Sequence, residues 1–267
     1  MGFVCMMGID ERQIEVAGRR LAVAVRPPVA ASPGLVWLGG FMSDMTSTKA
    51  EALDRWCAEQ GRGMLRFDYA GHGQSEGRFE DGTIGGWAQD ALTVMRASTS
   101  GPQILVGSSM GAWIALLVAR SLARAGEDGR LAGMVLVAPA VDFTERLMWD
   151  RFEPDVRRAI ERDGVWHRPS PYGDTPYPIT RGLIEDGRAQ CLLGATVRSH
   201  CAVHILQGMQ DEDVPWSHAM LLVEHLHADP VSITLIKDGD HRLSRDQDIA
   251  ALISAVAGIA SPEAIAV

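Results

Sequence analysis

Cysteine is scarce in this chain: four in 267 residues, Cys5, Cys57, Cys191 and Cys201, scattered and with no C-x-x-C pair. That excludes a disulfide framework and leaves no zinc or redox signature, so reduced, mostly buried thiols are expected. Positive charge is also short, with 25 Lys and Arg against 34 Asp and Glu, a formal net charge of -9. Such a chain repels phosphate backbones and offers no basic face to nucleic acid or anionic lipid, which leaves small-molecule chemistry. No apolar run approaches the roughly 20 residues that a membrane-crossing helix needs. The start, MGFVCMMGIDER, lacks the apolar core of a secretory signal and the Arg-rich pattern of a transit peptide. Met6 stands where a myristoylation signal wants Ser or Thr. A cytoplasmic protein without a stable membrane anchor is expected; oligomeric state is left open.

What is present is apolar: a hydrophobic fraction of 46% suffices for one large core in a chain of this length. Residues 13–25 alternate around Gly18 and stop at Pro27 and Pro28, the pattern of a β-hairpin. Short apolar runs then recur at 35–38, 63–67, 103–106, 133–138, 203–206 and 232–236. Helical spacing fills 48–60, 84–97, 110–125, 217–227 and 245–259. Strands buried on both faces and interleaved with helices predict a doubly wound α/β domain with a mostly parallel central sheet. Residues 142–198 break the rhythm, with Pro, Tyr and Trp, helical turns near 154–163 and 179–193, and no clear strand. A structureless loop of that length is improbable in a compact domain, so this interval reads as a small cap insertion within a single domain spanning 1–267. A plain surface insertion is the alternative.

The segment GPQILVGSSMGAW carries an apolar run, then Gly107-Ser108-Ser109-Met110-Gly111, then an Ala- and Leu-rich helix. A G-x-S-x-G turn between strand and helix forces its central residue into a strained conformation, and the flanking glycines remove the β-carbons that would clash. Ser109 is thereby the candidate nucleophile, with the amides and dipole of the following helix aimed at the same spot. Ser109 as an ordinary helix cap is the plain alternative. A serine needs a base, and the base needs an acid, in the chain order Ser, Asp or Glu, His. Asp211 stands three residues after Gly208 at the end of one late strand, with Asp213 and Asp142 as rivals; Asp213 reads more naturally as a residue that orients the loop or caps the next helix. Among the eight histidines, His241 alone follows the last strand in a glycine-containing loop, which makes it the base. His72, in the turn 68–73, reads as a local hydrogen-bonding residue, and the other histidines carry no motif. For the oxyanion, one backbone N–H is expected from Met110 and one from Phe41, or alternatively Met42, after Gly39-Gly40. The cap residues Trp149, Phe152, Trp166, Tyr172 and Tyr177 are candidates for an apolar acyl pocket, with simple core packing as the alternative. No metal and no cofactor is implied.

These residues resemble the α/β-hydrolase-domain-containing type ten family, whose members are palmitoyl-protein thioesterases and mycophenolic acid acyl-glucuronide esterases. The likeness is carried by RFDYAGHGQSEG (66–77), GPQILVGSSMG (101–111), GVWHRPSPY (164–172), CLL (191–193), GMQDEDVPW (208–216) and DHR (240–242). It implies the α/β-hydrolase fold and a triad of Ser109, Asp211 and His241. It also implies hydrolysis of acyl thioesters and activated esters, with a small-molecule substrate or an acylated protein as partner. The mitochondrial members carry a transit peptide, which this start lacks, so a bacterial-type member without one is expected. The stretch 173–190 does not match the family pattern. Acyl transfer, peptide hydrolysis or carbon–carbon bond hydrolysis on the same triad, and a non-catalytic ligand-binding role, are the competing readings.

Overall fold

The computed structural model of the chain describes residues 8–29, 32–169 and 176–261. Strands β1 (Asp10–Val16) and β2 (Arg19–Arg26) form the expected antiparallel hairpin. Its two corner residues, Ala17 and Gly18, both have positive φ, 49° and 76°, the twist that a two-residue hairpin requires. The sheet continues with β3 (Gly34–Leu38), β4 (Met64–Phe67), β5 (Gln103–Ser108) and β6 (Leu131–Val137). Two short strands follow, β7 (Val165–Arg168) and β8 (Tyr177–Thr180), before β9 (Val203–Gly208) and β10 (Val231–Ile236). Eight strands make one sheet in the order β1-β2-β4-β3-β5-β6-β9-β10, and only the pairs β1/β2 and β2/β4 are antiparallel.

The continuous apolar runs are explained by burial on both faces. Along β5, Ile104 and Val106 pack into one apolar cluster while Leu105 belongs to another on the opposite face, the period of two that a strand imposes. The first cluster also holds residues of α1 (Thr48–Gln60) and α7 (Asp246–Ala260); the second holds residues of α2 (Ile84–Ser98), α3 (Met110–Arg124) and α6 (Trp216–His225). This is the doubly wound α/β architecture, and it brings the loops after β3, β5, β9 and β10 to one edge of the sheet.

Between β6 and β9 the chain leaves the sheet. It forms a π-helical turn (Thr144–Met148), a 3-10 turn (Trp149–Arg151), helix α4 (Pro154–Asp163), the pair β7/β8 and helix α5 (Arg181–Gln190). The expectation of no strand here is corrected: β7 and β8 pair antiparallel from Val165 opposite Thr180 to Arg168 opposite Tyr177. Each has four residues with no alternation of polarity, and Pro178 sits in one of them, tolerated because a two-stranded ladder has only edges. The insertion is tied down by Asp142, whose two carboxylate oxygens accept the amides of Leu192 and Leu193 at 2.8 Å each. The side chain of Asp186 in α5 accepts the Gly85 amide at the start of α2 at 2.7 Å.

Candidate active site

Ser109 holds φ 55° and ψ -116° between β5 and α3, a conformation unfavourable for any residue with a β-carbon. The surroundings impose it. The Ser109 amide donates to the Val137 carbonyl at 2.8 Å, and its own carbonyl accepts from Ala112 and Ala140 at 3.0 and 3.2 Å. A β-carbon on Gly107 would strike the backbone of Gly111, and one on Gly111 would strike the carbonyl oxygen of Leu38, so both motif glycines are sterically required. Ser108 is buried beneath.

The strand ends bring the other two predicted residues to Ser109. His241 Nε2 lies 3.1 Å from Ser109 Oγ, and His241 Nδ1 lies 2.8 Å from Asp211 Oδ2. Asp211 can only accept, so Nδ1 carries the proton and Nε2 presents its lone pair to the serine hydroxyl. The carboxylate is held from behind: Oδ1 accepts the amides of Asp213 and Val214 at 3.0 and 2.8 Å, and Oδ2 accepts from Gln207 Nε2 at 3.2 Å. Gly208 explains why acid and base loops meet, since a β-carbon there would collide with the carbonyls of Gly239 and Asp240. Of the rivals, Asp142 is spent on Leu192 and Leu193. The capping role expected of Asp213 is corrected: α6 begins after Pro215 with no side-chain cap, because Asp213 lies two residues too early. Asp211, Asp213 and His241 bring ligand atoms within 4.8 Å of one another, and the contact between Asp211 and His241 is the Nδ1 to Oδ2 hydrogen bond.

Two backbone amides beside Ser109 have no protein acceptor among the described residues. Gly40 packs against Ser109, its would-be β-carbon 3.5 Å from the serine Cβ, so the chain after β3 runs past the nucleophile. Met42 N–H donates to His72 Nε2 at 3.3 Å, which removes it from the choice. Neither Phe41 N–H nor Met110 N–H donates to a protein acceptor among the described residues, and both residues line the cavity over Ser109.

That cavity has a volume of about 1010 Å³ and reaches from Ser109 and His241 into the insertion. Phe152, Trp166 and Tyr177 line it; Tyr172 lies outside the described residues. Trp149 does not line it, a correction: it is half-buried and packs against the core cluster, the alternative reading, with its ring against the guanidinium groups of Arg188 and Arg157 at 4.6 and 5.6 Å from the ring centre. Phe143, Leu147 and Met148 line the cavity and were not anticipated, because the π-helical turn that aims them has no distinctive sequence pattern. Lys49 was also missed. Its ammonium donates to the Arg242 carbonyl and Ser244 Oγ, and burial pushes it down to about 8. Cys191 is exposed, contrary to the expectation of mostly buried thiols, while Cys57 is buried. Burial pushes the Cys57 thiol up to about 12, and partial burial of the Cys191 side chain beside the carboxylates of Asp142 and Glu145 raises that thiol to about 11, so neither is an activated nucleophile.

Comparison with known proteins bears on the family and the fold. A family model described as serine aminopeptidase, S33 matches residues 36–169. The mitochondrial palmitoyl-protein thioesterase ABHD10 of Bos taurus is 35% identical over 223 residues, 83% of this chain and 71% of that protein. Its Homo sapiens counterpart is 34% identical over the same length. Among solved structures, one from Agrobacterium vitis S4 superposes with a TM-score of 0.91 at 44% identity, covering 96% of this chain and all of that one. Mouse alpha/beta hydrolase domain-containing protein 10 superposes at 0.83 with 30% identity, covering 93% of this chain and 97% of the mouse chain.

Proposed function

The chain is a hydrolase of the α/β-hydrolase family that includes the ABHD10 palmitoyl-protein thioesterases, and from that premise we propose that it cleaves acyl thioesters and activated esters through an acyl-enzyme on Ser109. The observation that carries the proposal is the unbroken hydrogen-bond chain Asp211, His241, Ser109 beneath a large cavity. His241 Nε2 takes the hydroxyl proton as Oγ forms its bond to the acyl carbon. The carbonyl oxygen becomes an oxyanion facing the amides of Phe41 and Met110. His241 then gives the proton to the leaving sulfur or oxygen as the bond to it breaks. Water, deprotonated by the same nitrogen, attacks the acyl-enzyme, and collapse returns the proton to Ser109 and frees the acid.

Residues 142–198 serve as the cap, and Phe152, Trp166 and Tyr177 form the wall along which the acyl chain lies. Among the described residues no helix is long and apolar enough to cross a membrane. The curated relatives carry the word mitochondrial in their names; a cytoplasmic location for this chain is part of the proposal, read by fractionating the cell that makes it.

Turnover of p-nitrophenyl esters and acyl thioesters by the purified protein, beside the Ser109→Ala variant, is the direct test. The variant should lose both turnover and labelling by a fluorophosphonate probe, and persistent labelling would remove Ser109 from the role. A second reading comes from the aminopeptidase description of the matching family model together with Glu212 and Asp213 at the cavity wall, carboxylates suited to a free amine. Aminoacyl p-nitroanilides cleaved faster than thioesters would favour it.

A further inference from the structure

The turn at 68–77, with its sequence Asp68-Tyr69-Ala70-Gly71-His72-Gly73 and onward, contributes nothing to the hydrogen-bonded chain at Ser109, yet it lies directly beneath the loop that carries Phe41. That loop is in difficulty on its own. Ser43 N–H closes a turn onto the Gly40 carbonyl at 3.1 Å, and Met42 occupies a corner at φ 56°, where glycine or asparagine is favoured and methionine is strained. A strained corner persists only when its surroundings hold it. Two acceptors from the end of β4 do so: His72 Nε2 takes the Met42 amide at 3.3 Å and Asp68 Oδ1 takes the Met45 amide at 2.7 Å.

We propose that His72 is a positioning residue for the reaction: by accepting the Met42 N–H it fixes the peptide plane next to Phe41 and so aims the Phe41 amide at the oxyanion. The inference rests on the reading of the site given above. His72 is suited to the role because its two ring nitrogens are committed. Nδ1 faces the Ala70 carbonyl at 3.4 Å, which can only accept, so the proton sits on Nδ1 and Nε2 keeps its lone pair. An imidazolium would set an N–H against the Met42 N–H. Burial, with the ring 3% exposed, pushes His72 down to about 4 and keeps it neutral. The ring is gripped by Tyr69, Phe79 and Trp87 at centroid distances of 5.5, 5.0 and 5.0 Å. Phe79 and Trp87 also grip the ring of Phe41 itself, at 4.8 and 6.0 Å. One aromatic nest thus holds both the amide donor and the residue that orients it. Gly73 is required beneath them, since a β-carbon there would collide with the Asp68 carboxylate.

The test compares His72→Phe, which keeps the aromatic packing and removes the acceptor, with His72→Gln, whose side-chain oxygen can reach the place of Nε2. In His72→Phe, kcat should fall about ten- to a hundredfold with KM within about twofold, as expected for a misaimed group rather than a lost binding contact. Affinity for an alkyl trifluoromethyl ketone, which forms a hemiketal with Ser109 and places an oxyanion between the two amides, should fall by the same factor. His72→Gln should recover both. A folded His72→Phe with unchanged kcat and unchanged inhibitor affinity overturns the proposal, and so does a kcat loss with inhibitor affinity intact. If His72→Phe does not fold, nitrogen-15 histidine spectra of the unmutated protein decide: an unprotonated Nε2 on His72 from about pH 5 to 8 is expected, and an Nε2–H tautomer or an imidazolium overturns the assignment. Turnover that survives Ser109→Ala would instead defeat the reading of the site while leaving the tautomer result to stand by itself.

Discussion

The loops that end β3, β5, β9 and β10 and the insertion between β6 and β9 face one cavity, but they are held in opposite ways. Around Ser109, Asp211 and His241 the backbone itself is pinned: strained φ, motif glycines pressed against neighbouring carbonyls, and amides bonded from one strand end to the next. In the insertion the ties are side-chain bonds, from Asp142 to Leu192 and Leu193 and from Asp186 to Gly85, together with apolar side chains such as Ile179, Leu183 and Leu193 buried in the main core, and its part of the cavity wall mixes rings and aliphatic side chains with Arg151, Glu153 and Arg168. Bond-making chemistry depends on placement to within a fraction of an ångström, whereas an apolar wall only has to be apolar and roughly the right size. The two regions should therefore answer mutation in different currencies, rate on one side and substrate preference on the other.

The largest contrast is between two buried aspartates. Asp211→Asn should lower kcat by about 10⁴-fold by disturbing the tautomer of His241, while Asp142→Asn should leave turnover of a small p-nitrophenyl ester within a few-fold and act on long acyl substrates; steady-state kinetics on both ester types read this directly. Next comes stability. Gly111→Ala drives a β-carbon into the Leu38 carbonyl and should cost upward of about 3 kcal/mol, measured by denaturant titration. Gly129→Ala, with open space around it, should change little.

An effect of similar size depends on pH. His72 sits at about 4 in the folded protein, below its ordinary 6.5, so on acidification the unfolded chain takes up the proton first. Stability from the neutral ring is present above pH 6.5 and is lost as the pH falls through 4, an amount on the order of 3 kcal/mol. The buried carboxyls Asp68, Asp90 and Asp142 are all raised by burial and act in the opposite sense. The check is therefore the difference between the melting profiles of the unmutated protein and His72→Phe, which should converge as the pH falls toward 4. The smallest contrast lies within the insertion. Phe152→Ala should raise KM for long-chain acyl thioesters about tenfold, roughly 1.4 kcal/mol of lost apolar contact, with short-chain KM unchanged, whereas Trp149→Ala should leave both KM values unchanged and instead cost about 2 kcal/mol of stability from lost core packing and arginine contacts. A chain-length preference that shifts with Trp149 and ignores Phe152 would reverse the assignment of the cavity wall.

Much of the framework could be read from the chain because its signals are local. Continuous apolar runs, a hairpin turn at Ala17-Gly18 and helical spacing each need only a few neighbouring residues, and all six apolar runs are strands of the sheet. The elbow at Ser109 was equally legible, being spelled out by two glycines and the change from strand to helix. The insertion was not. β7 and β8 are short, without alternation, and pair only across an intervening loop; the π-helical turn that sends Phe143 and Leu147 into the cavity has no sequence signature; and Trp149 is apolar in type but meets arginines.

Sequence alone settled the class of fold and the kinds of residue at the sheet edge, because burial periodicity and glycine sterics act within a few positions along the chain. Which of three aspartates meets His241, whether the Phe41 or the Met42 amide is left without a partner, and which aromatics face the cavity were decided by tertiary structure. Each of those outcomes is a competition among groups far apart in sequence for the same hydrogen-bond partner or the same space, and only the folded chain resolves it.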